Sequence, residues 1–470
     1  MRDLDSFRVA IIGSGPSGFY AAEALLQSMP DVAIDLIERL PVPFGLVRYG
    51  VAPDHQKLKE VTRVFTALAS DSRVNFIGNV AVGVDVTVEE LLPLYDSVIV
   101  ACGASADRRM SIPGEELTGC CSAVDFVGWY NGHPDHCHHH FDLSGEAAVI
   151  VGQGNVAIDI CRVLAKSVDD LRKTDIAEHA LETLASSKVK KIVIMGRRGP
   201  AQMKFTAKEL RELGSLAGWD IQVSPDDLSL DAVSAAEIAA PHMLVSARNV
   251  KFLEECSSKP RSNDRVIEFR FLRSPVEVLG RDAVRGLLLR KNSLAGAPFQ
   301  QQAVPLNETE IVEAQSVFRS IGYRGVPVAG LPFDASKGVI PNNCGRVIGN
   351  HSRIYVTGWI KRGPTGIIGT NRVDSIETVA SLSADRARMT GRVREGAPRL
   401  ENILTDRGVR PTSFDEWRRI DAEELRRGQR SGRVRSKITS IHELVAVAAA
   451  GPQTNVGRGG ETSDQPALTA

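Results

Sequence analysis

A glycine-rich loop between an apolar run and a helical stretch constrains this chain more than any other feature. Residues 7–12 are apolar apart from one arginine and lead into Gly13, Gly15 and Gly18, after which residues 20–28 have the composition of a helix. Strand, glycine loop and helix in this order form the phosphate-binding part of a dinucleotide-binding unit. Glycines allow the tight turn and a close approach to a pyrophosphate, which the helix N-terminus attracts. The pattern favours a nucleotide site over a plain strand-to-helix turn.

An acidic residue completes this first unit. A second apolar run, residues 33–37, ends in Glu38, twenty residues after Gly18. A carboxylate at that strand end accepts hydrogen bonds from the hydroxyls of an adenosine ribose. The first unit therefore suits FAD or NAD.

The same pattern returns in the middle of the chain. Residues 147–151 are apolar, Gly152 and Gly154 follow, and a helical stretch then begins around Asn155 and Val156. Two such units in one chain predict two nucleotide sites.

The second unit ends in basic residues where the first ends in an acid. The apolar run 189–195 leads into Arg197 and Arg198. Guanidinium groups form paired hydrogen bonds with a phosphate, so this strand end suits the 2′-phosphate of NADP. A solvated basic turn is the alternative explanation.

The order of these units predicts the domain organisation. We predict an α/β fold with two Rossmann-like, three-layer dinucleotide-binding domains, in which the NADP domain is inserted within the FAD domain. The predicted FAD domain comprises residues 1–105 and 331–450, because a strand and helix near residues 353–384 can rejoin the first sheet. The NADP domain spans 106–330, and residues 451–470 have the composition of a flexible tail.

Composition excludes several other classes. The 57 basic residues balance the 57 acidic ones, which argues against binding nucleic acid or an anionic membrane over the whole surface. No apolar run reaches the length of a membrane span. The seven cysteines contain no C-x-x-C, so neither a thioredoxin-like motif nor a zinc ribbon is present. We expect a cytoplasmic protein of a bacterium, or a mitochondrial matrix protein if a transit peptide has been removed.

Five histidines surround Cys137. They are His133, His136, His138, His139 and His140. Histidines at this spacing can bind a metal, but the sequence around them offers no framework of carboxylates or cysteines. We predict an exposed loop and no metal site, with adventitious metal binding as the alternative.

Four longer motifs resemble one family closely. They are the stretch PVPFGLVRYGVAPDH at 41–55, GQGNVAID at 152–159, GRRGP at 196–200 and GWIKRGPTG at 358–366. All four are similar to the adrenodoxin-reductase-like family of ferredoxin–NADP reductases, and the resemblance extends from residue 8 to about 445. It implies a flavoprotein that carries FAD, oxidises NADPH and reduces a small iron–sulfur protein.

The resemblance also implies residues for the FAD site. Glu38 would bind the adenosine ribose, Leu46 and Trp359 would approach the flavin, and main-chain N–H groups of the C-terminal loop would stabilise the reduced ring. The glycine loop and the C-terminal loop contribute Gly13, Gly15, Pro16, Ser17, Gly18, Gly366, Ile367 and Ile368.

For NADP, the resemblance implies a second set of residues. The pyrophosphate and the 2′-phosphate would contact Gly152, Gly154, Asn155, Val156, Arg197 and Arg198. Glu209, His55 and Asp159 match positions near the nicotinamide or the flavin. Because hydride transfer needs no general base, we expect these three to act in binding or gating. For His55, capping of the helix that follows is the alternative.

The partner implied by the resemblance is a ferredoxin-type iron–sulfur protein, and we expect a monomeric enzyme. Animal members carry a denser basic stretch in the second domain, whereas residues 239–243 here hold no positive charge beyond a histidine. Lys204, Lys208 and Arg211 can still form a steering patch. Two alternatives stay open: an NADPH-dependent diaphorase or quinone reductase, and an electron-transfer subunit of a larger complex.

Overall fold

The computed structural model describes residues 6–349, 352–389 and 393–451. The predicted tail at 451–470 lies outside the described residues except for Gly451. The strands are β1 (Phe7–Ile12), β2 (Val32–Ile37), β3 (Val74–Ile77), β4 (Ser97–Val100), β5 (Ala106–Asp107), β6 (Cys120–Ser122), β7 (Ala147–Val151), β8 (Lys191–Met195), β9 (Trp219–Val223), β10 (Arg265–Arg270), β11 (Arg273–Gly280), β12 (Val284–Ala295), β13 (Gln302–Glu313), β14 (Ser316–Arg319), β15 (Tyr323–Arg324), β16 (Asn342–Asn343), β17 (Arg346–Val347) and β18 (Ile354–Val356).

The helices alternate with these strands over most of the chain. They are α1 (Pro16–Ser28), α2 (Leu46–Tyr49), α3 (Gln56–Lys59), α4 (Thr62–Ala69), α5 (Val88–Leu91), α6 (Ala123–Tyr130), α7 (Asn155–Ala165), α8 (Val168–Arg172), α9 (Glu178–Ala185), α10 (Ala207–Leu213), α11 (Pro225–Leu228), α12 (Ala232–Ile238), α13 (Leu244–Ser257), α14 (Trp359–Arg362), α15 (Thr370–Asp385), α16 (Ala397–Asp406), α17 (Phe414–Arg430) and α18 (Ile441–Ala449), with 3-10 turns at Pro200–Gln202, Pro241–Met243 and Arg386–Arg388. Among the described residues, no helix is long and apolar enough to cross a membrane.

The first sheet takes strands from both ends of the chain. Its order is β16-β17-β18-β4-β1-β2-β3, and the five strands from β18 to β3 are parallel. Every residue of β1, β2, β4 and β18 is buried, as expected for parallel strands covered on both faces. The return of β18 to the edge of β4 confirms that one nucleotide-binding domain is inserted within another.

The second sheet lies wholly inside that insertion. Its order is β6-β14-β7-β8-β10-β9, and all of its strands are parallel. Helices cover one face of it, in a core that includes Phe126, Trp129 and Phe318, and the strands β11, β12 and β13 pack on the other face. The predicted three-layer α/β class is therefore confirmed for both halves.

The chain crosses between the two sheets twice, through one short ribbon. β5 and β15 pair antiparallel, Tyr323 opposite Asp107 and Arg324 opposite Ala106. The sequence-based boundaries near residues 105 and 330 fall beside this ribbon and stay predictions. β11, β12 and β13 form an additional antiparallel sheet in a region where the sequence indicated only short β runs.

The C-terminal helices pack back on the first domain with one unexpected residue inside. The sequence of residues 411–448 predicts an amphipathic helical segment with an apolar stripe of Trp417, Ile420, Leu425, Ile438 and Leu444. All of these are buried except Leu425, which is partly exposed. The buried position after Ile420 is taken by Glu424 rather than by Leu425. A carboxylate is tolerated there because Arg48 lies 2.6 Å from Oε1 and Arg435 lies 3.0 Å from Oε2.

Candidate active site

In the first glycine loop, protein packing explains two of the three glycines and leaves the third unexplained. Gly13 has φ +105°, and a Cβ there would lie 2.7 Å from the Ala101 carbonyl oxygen. A Cβ on Gly18 would lie 2.0 Å from the Gly13 carbonyl oxygen, so these two glycines are required by packing. A Cβ on Gly15 would meet no protein atom within 4 Å.

The geometry at Gly15 thus points to a ligand. Its φ of −76° and ψ of −175° are open to any residue, and Gly15 is the N-cap of α1, with Pro16 in the first turn and the buried Ser17 and Gly18 behind it. Neither backbone strain nor packing explains a glycine at this position. Close approach of a phosphate to the helix N-terminus does explain it.

Glu38 lies over this loop at the end of β2. Its Oε2 accepts hydrogen bonds from the Ser14 N–H at 3.0 Å and from the Ser14 hydroxyl at 2.8 Å. Its Oε1 accepts from the Leu40 N–H at 3.2 Å, and the residue is only partly buried, so the carboxylate keeps spare acceptor capacity. This is the position required to bind ribose hydroxyls.

The PFGL segment packs against the same loop. The Phe44 N–H donates to the Ser14 carbonyl at 3.0 Å, and a Cβ on Gly45 would lie 3.1 Å from the Cα of Gly15. Phe44 has φ +85°, an unusual conformation for a bulky residue that its buried ring packing maintains. The turn brings Leu46, which begins α2 and is partly exposed, beside the glycine loop.

The C-terminal segment is joined to α1 by hydrogen bonds. The Ser375 hydroxyl donates to the Ser17 carbonyl at 3.1 Å, and the Ser17 hydroxyl donates to Asn371 Oδ1 at 3.2 Å. Residues 358 to 375 therefore lie beside the glycine loop, although more than 340 positions separate them from it in sequence.

Within that segment, Trp359 carries an unsatisfied polar atom. Its Nε1 is buried and has no hydrogen-bond partner among the described residues. The loop at Gly366, Ile367 and Ile368 is mostly exposed, and the Ile367 N–H donates to the Thr370 hydroxyl at 3.1 Å. One of the three N–H groups expected to face a flavin is thus already used within the loop.

These residues fit FAD. The open side of Gly15 leaves room for a pyrophosphate, the Glu38 carboxylate lies at the strand end where an adenosine ribose would bind, and the Trp359 indole N–H lacks an acceptor among the described residues that a bound ring system could supply. The fit rests on groups from both ends of the chain.

The second glycine loop repeats the plan on the other sheet. Gly152 packs against the Ser320 carbonyl, but a Cβ on Gly154 would again meet nothing within 4 Å, and Gly154 is the N-cap of α7 in extended backbone. Asn155 and Val156 form the first turn of α7, and Asn155 Oδ1 accepts from the Thr206 N–H at 3.0 Å. A phosphate can approach here as well.

Arg197 and Arg198 lie at the end of β8 without a neutralising partner. Neither guanidinium forms an ion pair within the part of the chain that the structure describes. Partial burial and the charge of Arg197 lower the pKa of Arg198, although Glu237 opposes this. Two adjacent, uncompensated arginines suit a dianionic phosphate.

His55, Asp159 and Glu209, here called the seam cluster, come together from three different elements. One ligand-type atom from each lies within 4.8 Å of the others. His55 Nδ1 is 3.9 Å from Asp159 Oδ1, and His55 Nε2 is 3.2 Å from Glu212 Oε2. The His55 side chain makes no capping hydrogen bond to α3, so the capping alternative is wrong.

Burial sets the protonation of the two carboxyl groups. Removal from water raises the pKa of Asp159, against the opposing charges of Arg162 and His55. Burial, followed by the charge of Asp159, raises the pKa of Glu209. Glu209 Oε2 is also buried without a partner among the described residues, so the cluster presents a polar group with spare hydrogen-bonding capacity.

Two residues that the sequence analysis did not select complete the cluster. Arg162 binds Asp54 at 2.7 Å and Asp159 at 2.7 Å, which holds the cluster on α7. The Tyr323 ring lies 5.4 Å from the Trp359 ring, and burial raises the pKa of Tyr323, with a further contribution from the charge of Asp159. Tyr323 thus connects the two halves of the site. This role of Tyr323 follows only from its position in the ribbon that β5 and β15 form.

Known proteins match this chain over nearly its full length. A model of the pyridine nucleotide-disulphide oxidoreductase family matches residues 7–195. The mitochondrial NADPH:adrenodoxin oxidoreductase of Salvelinus fontinalis is 45% identical, over 94% of this chain and 91% of that protein. NADPH-ferredoxin reductase FprA of Mycobacterium tuberculosis strain H37Rv is 44% identical, over 94% of this chain and 99% of that protein.

Comparison with solved structures leads to the same relatives. The structure of Mycobacterium tuberculosis FprA in complex with NADPH matches with a TM-score of 0.90 and 43% identity, over 95% of this chain and 100% of that one. Identity at this level and coverage, together with two nucleotide loops of opposite terminal charge, assigns the family. The chain belongs to the adrenodoxin-reductase-like family of ferredoxin–NADP reductases.

Proposed function

We propose that this protein is an FAD-dependent ferredoxin–NADP reductase that oxidises NADPH and reduces an iron–sulfur ferredoxin. The observation that carries the proposal is that the seam cluster joins two glycine-loop units, since His55 of the first unit lies 3.9 Å from Asp159 of the second. The second strand of the first unit ends in Glu38, and that of the second unit ends in Arg197 and Arg198. Bound FAD supplies a group that accepts a hydride and releases electrons one at a time.

Different residues of the chain then bind different parts of NADP. Arg197 and Arg198 select the 2′-phosphate, and the open backbone at Gly154 admits the pyrophosphate. Glu209, with its raised pKa and its unpartnered oxygen, offers a hydrogen bond to the nicotinamide end. Asp159 and His55 orient and gate, since no proton has to be abstracted for hydride transfer.

Disulfide chemistry is not supported by the cysteines. All seven are free, and the adjacent pair, Cys120 and Cys121, have thiol pKa values raised mainly by burial, to about 12 for Cys121. A thiol with a raised pKa is a poor nucleophile at neutral pH. Electrons therefore leave through an external acceptor.

The ferredoxin is proposed because the relatives are reductases of adrenodoxin and ferredoxin, and because the surface beside Glu209 is basic. Lys204, Lys208 and Arg211 are exposed near the seam cluster, and Lys208 lies 3.6 Å from Glu212. Three exposed cations near the seam cluster would steer an acidic protein toward it. We further propose a monomer located in a bacterial cytoplasm or a mitochondrial matrix.

An anaerobic assay tests the function. The purified protein should be yellow, bleach on addition of NADPH and reduce cytochrome c only when a ferredoxin is present. Equal rates without ferredoxin would instead indicate a diaphorase. Failure to turn over without a large co-purifying subunit would indicate a component of a complex.

Charge reversal adds a matched control to this assay. The triple variant K204E/K208E/R211E should lower the ferredoxin-dependent rate at low salt, with ferricyanide reduction unchanged. The variant R281E/R285E/R290E reverses three exposed charges on the antiparallel sheet and should leave both rates unchanged. Equal losses in the two variants would contradict docking at Lys204, Lys208 and Arg211.

A further inference from the structure

The histidine loop, residues 133–140, lies against a carboxylate that the linear sequence did not single out. Asp125 occupies the first turn of α6, where the Ser122 side chain caps the helix. His136 Nδ1 lies 3.2 Å from Asp125 Oδ1, and His139 Nε2 lies 3.9 Å from the same oxygen. The three ligand-type atoms all lie within 4.8 Å of one another. The missing oxygen donor is therefore supplied by the neighbouring helix.

Several features hold these side chains in place. Backbone hydrogen bonds from His136 to the His133 carbonyl and from His139 to the His136 carbonyl make consecutive turns, which bring His136 and His139 to one side of the loop. A Cβ at position 128 would lie 2.4 Å from His136 Cδ2, so Gly128 lets the imidazole pack directly on α6. The arrangement is built by the helix as well as by the loop.

His136 also carries an unsatisfied atom at the centre of the group. Its Nδ1 is buried and makes no aligned hydrogen bond among the described residues, despite the short distance to Asp125. Asp125 is thus close to this atom but poorly aligned with it, and a metal ion that binds both groups satisfies the buried Nδ1.

The other candidate ligands of the loop are engaged elsewhere. His133 Nδ1 accepts from the Asp135 N–H at 3.1 Å, and its Nε2 lies 3.4 Å from Arg39. The Cys137 thiol donates to the Pro134 carbonyl at 3.2 Å. His138 and His140 are exposed. The group that converges on one point is thus limited to two imidazoles and one carboxylate.

We propose that Asp125, His136 and His139 form a binding site for a divalent transition-metal ion of the Zn²⁺ class. Ligand atoms bound tetrahedrally at about 2.0–2.1 Å from zinc lie about 3.4 Å apart, close to the distances seen here. Two imidazoles with one carboxylate select Zn²⁺, Co²⁺, Ni²⁺ or Cu²⁺ over Mg²⁺ and Ca²⁺. The fourth position stays open to water.

Binding there would affect more than the loop itself. Asp135 pairs with Arg39 at 2.7 Å, and the His133 ring packs 4.7 Å from the Tyr49 ring. Arg39 directly follows Glu38, so the same loop braces the adenosine end of the first nucleotide site. A metal that fixes the loop on α6 should raise the melting temperature of the holoenzyme.

Isothermal titration of the tag-free holoenzyme with ZnCl₂ tests the site. We expect one equivalent of Zn²⁺ to bind and Mg²⁺ to give no heat. H136Q/H139Q and D125N should each weaken binding by about tenfold or more, because even residues behind the ligands cost that much in metal sites. The Zn²⁺-induced rise in melting temperature should disappear in the same variants.

The matched control is H138Q/H140Q, which removes two exposed histidines from the same loop. This variant should bind Zn²⁺ as the parent does. H55Q should do so too, because it disrupts only the seam cluster, the other group able to hold an ion among the described residues. Equal weakening by H138Q/H140Q, loss of binding in H55Q, or undiminished binding in D125N would each overturn the proposal.

Discussion

The two nucleotide-binding units share one backbone plan, and two of the differences between them bear on the ligand and on the packing. In both, a parallel strand leads into a glycine loop. The second glycine of each loop has an open Cβ position and precedes the helix N-terminus. The first unit ends in Glu38 and the second in Arg197 and Arg198. The backbone plan suits phosphate binding in both units, and we expect the strand-end charge to set which ribose each unit accepts.

The second difference lies at the third glycine position of the G-x-G-x-x-G pattern. Gly18 lies so close to the Gly13 carbonyl that a Cβ there would be 2.0 Å from its oxygen, whereas the second unit has the buried Ala157 at the corresponding place. The first helix therefore packs closer to its strand than the second. Packing explains neither Gly15 nor Gly154, and it requires the third glycine of the first loop only.

The largest effect is expected from filling the open side of the first loop. Gly15→Val adds a side chain where no protein atom lies within 4 Å and where the backbone is extended, so the fold should be retained. Displacing the pyrophosphate removes charged hydrogen bonds of roughly 1.5–3 kcal/mol each, and two of them correspond to about a hundredfold or more in affinity. Flavin absorbance and circular dichroism measure the two properties separately.

The second loop supplies the matched comparison. Gly154→Val makes the same addition at a site equally free of protein contacts. It should leave the protein yellow but prevent bleaching by NADPH. Loss of flavin in this variant, or its retention in Gly15→Val, would show that the two cofactors have been assigned to the wrong units.

Removing the two arginines should have the next largest effect. Arg197→Ala with Arg198→Ala deletes the contacts to a 2′-phosphate, and charged hydrogen bonds of roughly 1.5–3 kcal/mol predict a rise in the KM for NADPH of about tenfold to a hundredfold. The KM for NADH should change little, because NADH has no such phosphate. Steady-state kinetics with both nucleotides decide this, and equal effects would contradict an NADP site.

A stability change tests the packing difference. Gly18→Ala should destabilise the fold by about 1–3 kcal/mol, because the added methyl overlaps the Gly13 carbonyl. The reverse change in the second unit, Ala157→Gly, should cost about 1 kcal/mol through helix propensity alone. Urea unfolding of the two apo-variants measures both values. If Gly18→Ala were neutral, the first helix would not be held by that contact.

Local motifs were sufficient to predict the strands and helices of the nucleotide units, because each depends on residues adjacent in sequence. The glycine loops and the buried strands β1 and β7 were predicted from their own residues. The helix beginning at Pro16 rather than at residue 20 is a boundary error, since proline is favoured in a first helical turn.

Contacts between distant segments could not be predicted in this way. The seam cluster joins residues 55, 159 and 209, and the resemblance alone suggested that they share a site. Tyr323 and Asp125 were missed because a tyrosine in a two-residue strand and an aspartate in a helix turn carry no local signal. Glu424 was missed because an apolar stripe does not reveal a buried charge that two arginines offset.

The smallest expected effect concerns the proton on Glu209. Burial raises its pKa, so the site holds a proton over a pH range in which an exposed carboxyl would have lost it. NADP⁺ carries a positive nicotinamide and NADPH a neutral one, so NADP⁺ binding should lower this pKa and release a fraction of a proton. NADP⁺ affinity should therefore rise relative to NADPH affinity as the pH rises through the raised pKa, by about fivefold for roughly 1 kcal/mol of interaction. Titration calorimetry in buffers of different ionisation enthalpy measures the release, and Glu209→Gln should abolish it. If Glu209→Gln still releases the same proton, the titrating group is Asp159, which lies on α7 of the second unit. Glu209 would then act as a hydrogen-bonding residue only.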